Sequence, residues 1–217
     1  MTNWQPKKTP TKGDLTYERL RADILWGRLP GNEILLEREL CETYETGRAP
    51  MRYALARSIE AGLINVKARQ GYVVKTLSLA DAQEILFLRA ILEEAAIVRA
   101  CETMSQQEIS DLRNLAKQSN LGPEGRVDGV RLTETNRDFH LAIAAAMRNE
   151  RASRLLLNLL EQMFRVLVHV SDTRQEYEII ERHVALVDAI STRDPETARR
   201  ALAVELEASR TRILQAF

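Results

Sequence analysis

Arg48 and Arg52 stand four residues apart in Gly47-Arg48-Ala49-Pro50-Met51-Arg52. That spacing places two guanidinium groups one above the other on a helix. A guanidinium fork donates two parallel hydrogen bonds, which suits phosphate oxygens or the O6/N7 edge of guanine. Met51, Leu55 and Ile59 recur at the same interval and are expected to face a core, leaving Arg48, Arg52 and Arg57 mostly off the apolar stripe. The second group of chemically able residues is small: His140, His169 and His183 are the only histidines. Asn136 and His140 share a helix face, and Asp138 points elsewhere. Spacing alone does not assemble a metal site, because ligands would have to converge from three helices. No H-E-x-x-H, nucleophile elbow or glycine-rich phosphate loop supplies a catalytic base, so an enzyme is not expected.

The arginines need a rigid mount. Leu36, Leu40 and Tyr44 fit a short amphipathic helix, Thr46-Gly47 breaks it, and a second helix starts near Arg48 with Pro50 in its first turn. Gly47 is expected to supply the turn's left-handed backbone. Gly62 to Val66 reads as a strand, Lys67 to Gly71 as a basic turn and Tyr72 to Val74 as a returning strand. With a first helix over 14–27 (Leu15, Leu20, Ile24 and Leu25 inward, Asp14 or Thr16 as N-cap), this is a winged helix-turn-helix of three helices plus a β-hairpin wing. Such a module aims its second short helix into a major groove, with Arg69 and the Gly71 backbone near a phosphate or minor groove.

Charge is distributed to match. The whole chain has a formal net charge of zero, but residues 1–76 hold 13 Lys/Arg against 9 Asp/Glu and the remainder 18 against 22. A basic head on an acidic body suits a phosphate-binding module attached to something else. Residues 1–13 read as a flexible basic arm with Lys7, Lys8 and Lys12, residues 14–76 as the DNA-binding domain and residues 77–217 as an all-helical body. Helices are expected over 79–101, 105–118, 129–148, 150–170, 171–191 and from 195 onward, with no strand after Val74. Two cysteines, Cys41 and Cys101, and no apolar run of membrane length point to free thiols, no membrane and a cytoplasmic location.

The head resembles GntR-type bacterial regulators. The resemblance runs through Gly27-Arg28-Leu29-Pro30-Gly31, Glu37-Arg38-Glu39-Leu40, Gly47 to Leu55, Glu60-Ala61-Gly62-Leu63-Ile64 and Gln70-Gly71-Tyr72-Val73-Val74. It implies DNA contacts by Arg38, Arg48, Arg52 and Gly71. Gly47 and Ala49 occupy positions where the family usually carries Ser or Thr, so two hydroxyl contacts to phosphate are lost.

The body resembles the FadR-like effector domain, FCD, through Arg89-Ala90-Ile91-Leu92-Glu93, Asn136-Arg137-Asp138-Phe139-His140 with Asn149, and His183 followed by Ala189-Ile190. Many members hold a divalent metal with an Asp and three His, and the metal helps bind an organic acid. The matching positions here are Asn136, His140, His183 and Glu205, two of which depart from that set. Zinc, manganese or nickel would suit them. The alternative is a metal-free pocket in which Asn136, His140 and His183 bond the effector directly. Arg89 is the candidate anion anchor, or else the partner of Glu93, and Arg165 is a second candidate. The implied protein is a ligand-responsive transcriptional regulator, a repressor, that binds an inverted-repeat operator in double-stranded DNA as a homodimer and responds to a small carboxylate effector. A metal-dependent enzyme and an effector-independent architectural DNA binder are the alternatives.

Overall fold

The computed structural model describes residues 9–29, 31–122, 124, 126–167, 173–215 and 217; Lys7, Lys8 and His169 lie outside them. The chain divides into two compact units, Met1–Thr76 and Leu77–Phe217.

Unit 1 is built on α1 (Lys12–Leu25) packed against α3 (Arg48–Glu60). The N-cap of α1 is Thr11, not Asp14 or Thr16. The Thr11 hydroxyl accepts from the Asp14 amide at 3.1 Å, and the Asp14 carboxylate accepts from the Thr11 amide at 2.9 Å. Lys12 therefore belongs to the helix rather than to a flexible arm. Gly13 allows close approach: a Cβ would lie 2.7 Å from the Tyr53 ring. Tyr17, Leu20 and Ile24 fill the inner face, whereas Leu15, expected inward, is 53% exposed.

The short α2 (Glu37–Thr43) precedes α3, and Leu40, Tyr44, Met51 and Leu55 are buried between them and α1. Leu36 caps α2 on extended backbone, so it falls off the helical stripe and stays exposed. Ile59, also expected inward, is exposed at the end of α3. The left-handed residue of the turn is Glu45 (φ 49°); Gly47 is the N-cap of α3 with φ −79°.

The wing has a third strand that the sequence does not signal. β1 (Ile34–Leu35) pairs antiparallel with β3 (Gly71–Val74), which pairs with β2 (Ile64–Lys67), giving the order β1-β3-β2. Gly62 is not a strand residue; at φ 71° it follows the α3 C-cap Ala61 and ends the helix. Gly71 has φ 119°, and a Cβ there would sit 2.6 Å from the Leu35 carbonyl oxygen. Gly71→Ala is expected to cost about 1–3 kcal/mol through backbone strain, before any clash with β1. A lowered urea midpoint for the full chain checks this.

Unit 2 contains α4 (Leu79–Thr103), α5 (Gln106–Ala116), α6 (Gly129–Ala145), α7 (Glu150–Leu167), α8 (Thr173–Ser191) and α9 (Pro195–Leu214). Helix starts follow side-chain chemistry. Ser78 with Asp81 and Ser105 with Glu108 form capping boxes on α4 and α5, and Asp194 caps α9 with Pro195 at its first position. Asn149, expected to end a helix over 129–148, instead caps α7 by accepting from the Arg151 and Ala152 amides, while α6 has ended at Ala145. The core gathers Ile97, Phe139, Leu156, Leu186, Ile190 and Leu202. The loop before α6 carries one isolated antiparallel bridge, Leu121 to Val127, where no β-structure was expected.

Candidate functional site

On unit 1, burying Met51, Ala54 and Leu55 turns the opposite side of α3 outward, and Arg48, Ala49 and Arg52 are exposed there. Arg52 is held in place: its Nε donates to both oxygens of Glu37 at 3.0 Å, while its side chain remains 65% exposed. Arg38 is 78% exposed beside Glu42, and Arg69 is exposed at the wing turn with φ 62°. Arg57 differs. Its guanidinium stacks 3.9 Å over the Tyr17 ring and donates to Asp14 at 3.2 Å, so it fastens α3 to α1. Arg38, Arg48 and Arg52 are presented by helices and Arg69 by the hairpin turn, an arrangement that suits a polyanionic surface.

Unit 2 holds a second candidate site. His140 from α6, His183 from α8 and Glu205 from α9 are all buried, and one ligand atom from each lies within 4.8 Å of the others. Each is placed by a neighbour. His140 Nδ1 faces a Glu93 carboxylate oxygen at 2.7 Å, and Arg89 Nε donates to the other at 2.8 Å. Glu93 thereby orients the His140 ring and leaves Nε2 facing away from that carboxylate. Phe139 stacks on the His183 ring with centroids 3.8 Å apart. Burial first, then the charges of His140, Arg212, Arg182 and Arg89, push the His183 pKa well down, so its imidazole is neutral.

Among the buried atoms of this region with no hydrogen-bond partner are Asn136 Oδ1, His140 Nε2, His183 Nε2 and Arg89 NH2. Buried polar groups are nearly always satisfied. This set combines an oxygen, two ring nitrogens and a cationic donor, which fits either a metal ion with an acid or an acid alone. Arg89 thus pairs with Glu93 and still keeps one donor open. Glu205 Oε2 accepts from Arg182 at 2.7 Å and Oε1 from the Ser209 hydroxyl at 3.4 Å; Oε1 is also 4.0 Å from His183 Nε2 and 3.7 Å from Arg212. Arg165 lies on α7 where the charge of Asp81, in the first turn of α4, acts on it.

Three participants are missing from the sequence reading: Arg182, Ser209 and Arg212. The signal was present, because Glu205, Ser209 and Arg212 repeat at helical spacing on α9. It was masked by the abundance of arginine on that helix.

Known proteins place both units. Residues 13–74 match the family described as bacterial regulatory proteins, gntR family, and residues 84–208 match the FCD domain. The HTH-type transcriptional regulator BphR of Paraburkholderia xenovorans is 30% identical over 90% of this chain and 82% of its own length. The HTH-type transcriptional repressor RspR of Escherichia coli is 25% identical over 88% of this chain and 84% of its own. The solved E. coli McbR/YncC structure superposes with a TM-score of 0.78 over 95% of this chain and 99% of that one, at 21% identity, which speaks for the fold.

Proposed function

This chain belongs to the gntR family of bacterial transcriptional regulators and carries an FCD domain, and on that premise we propose that it is a ligand-responsive repressor whose helical unit takes a small organic acid. The observation that carries the ligand is the set of unpartnered buried atoms on Asn136, His140, His183 and Arg89. A carboxylate would accept from the Arg89 donor, and a hydroxyl of the same acid would donate to Asn136 Oδ1.

A divalent metal fits the same residues. His140 Nε2, His183 Nε2 and Glu205 Oε1 would hold it, with Asn136 as a neutral oxygen donor, and Glu93 would act as the outer carboxylate that orients His140. When bound, the ion would supply a positive centre for the acid's carboxylate. A His183→Ala variant is expected to lose metal: elemental analysis should find about one zinc, nickel or manganese per chain in the wild type and well under a tenth of that in the variant. Equal metal in both would remove this assignment.

In the unliganded state the regulator binds an inverted-repeat operator as a homodimer. Arg48 and Arg52 read guanine edges, and Arg38, Arg69 and the Gly71 backbone fix register on the sugar–phosphate chain, with close backbone approach also possible at Gly47 and Ala49. Phe87, Leu88 and Ile91 stand exposed together on α4, a large apolar surface for one copy to leave to water, which supports a dimer. The acid acts by binding one arrangement of the dimer better than the other. Repression follows from an operator occupied only without ligand, and relatives such as RspR are named repressors. The test is a fluorescence-anisotropy titration of a duplex enriched by the wild-type protein, with a panel of small acids. A compound that weakens DNA binding in the wild type, and not in an Arg89→Met, Glu93→Leu variant, supports the reading; a panel without effect contradicts it.

A further inference from the structure

Beside the buried cluster, α8 and α9 leave a cleft of about 470 Å³, lined by Arg174, Glu178 and Arg182 from α8 and by Thr211, Arg212 and Gln215 from α9. This volume is in the range of a small-molecule site. Its chemistry disfavours an apolar ligand, because the walls carry three guanidinium groups, a carboxylate, a hydroxyl and, with Gln175, two amides. The guanidinium groups outnumber their partners. Arg174 pairs with Glu178 at 2.9 Å, Arg182 lies 3.9 Å from Glu178 and 2.7 Å from Glu205, and Arg212 lies 3.7 Å from Glu205. Two carboxylates thus face three cations.

Arg212 is the least satisfied of the three. Its NH2 donates to the Ser209 hydroxyl at 3.0 Å, but its Nε is buried with no hydrogen-bond partner. Its side chain is only 12% exposed, and burial pushes its pKa down. A buried guanidinium with an open donor and surplus positive charge around it is a receptor for an oxyanion.

We propose that the α8–α9 cleft binds a compact, hydrophilic polyanion, whose carboxylate or phosphate oxygens lie on Arg174, Arg182 and Arg212 and whose hydroxyl groups face Glu178. This goes beyond the effector reading by adding a second anion site, distinct from the buried cluster, and it rests on that reading for any consequence at the DNA.

The test is calorimetric titration of the full chain with tricarballylate and with inorganic phosphate, using butyrate and benzoate as single-charge controls. At least one polyanion is expected to bind saturably, at least about tenfold more tightly than either control. Arg174→Gln, at an 87% exposed side chain that folding does not need, should weaken it about tenfold, and Arg212→Gln by more, the loss expected for one charge-assisted contact. Preference between the two polyanions identifies carboxylate or phosphate as the source. The proposal is overturned if neither polyanion binds, if both variants bind like the wild type, or if benzoate binds equally well. Adding the duplex separates the two readings. Polyanion binding that leaves DNA affinity unchanged keeps the cleft and removes the effector role, whereas DNA released by another acid with the cleft silent removes the cleft alone.

Discussion

Replacing Arg48 and Arg52 together with alanine is expected to reduce affinity for an enriched duplex by on the order of 10²–10³-fold, since each bidentate base contact contributes about 1–3 kcal/mol of discrimination. The fold should not suffer. Both residues are exposed on α3, and the buried face of Met51, Ala54 and Leu55 is untouched. Thermal midpoint and sizing should therefore match the wild type. The single variants are expected to differ from each other. On the proposed reading Arg52 would leave its ion pair with Glu37 to reach DNA, so Arg52→Ala is expected to forfeit less net energy than loss of an unpaired cation. Arg57→Ala provides the contrast: that guanidinium packs on Tyr17 and Asp14, so its loss should lower stability. Anisotropy with the two classes of variant, read beside their melting curves, separates reading residues from scaffold residues.

The second large effect is on stability. Arg89 and Glu93 are 1% and 3% exposed. Glu93→Ala would strand a buried guanidinium and remove the partner of His140 Nδ1, and breaking such a pair costs about 3–5 kcal/mol. A double Arg89→Met, Glu93→Leu change removes both charges and should recover most of that loss. The pair also predicts a pH dependence. Burial is the largest influence on Glu93 and pushes its pKa up; the charges of Arg89 and His140 together outweigh it and hold the value at about 2, against an ordinary 4.5. A folded-state pKa below the unfolded one means that the contribution is whole above about pH 4.5 and is lost as pH falls toward 2. Urea midpoints of the wild type should therefore fall more steeply across that interval than those of the double variant.

Much of this architecture could be read from residue types with a local mechanism. Ser78-Asp81, Ser105-Glu108 and Asp194-Pro195 announce helix starts because capping needs only neighbours in sequence. The recognition helix and hairpin follow from a four-residue apolar interval and two short β-branched runs. What escaped depends on distant partners. β1 is two residues long and exists only because β3 offers it an edge, so no periodicity reveals it. Gly13 reads as part of the basic arm until Tyr53 is seen across it. Asn149 looks like a helix end or a helix start equally well, and only the next helix decides. In the bundle, three helices bring His140, His183 and Glu205 together, a convergence that intervals within one helix do not contain. Arg182 and Arg212 were hidden for the same reason: a cation's role depends on which carboxylate it faces, and Glu205 is 23 residues from one and seven from the other.

Selection of duplexes from a randomised pool by the full chain tests the central claim most directly. The account predicts enrichment of an inverted repeat whose half-sites are centred about 10 base pairs apart or a multiple of that, one helical turn being the spacing at which two dyad-related α3 helices meet successive major grooves. Enrichment should vanish for the Arg48→Ala, Arg52→Ala protein. A pool that the wild-type chain leaves unenriched, or a selected sequence that the double variant enriches equally, would contradict it.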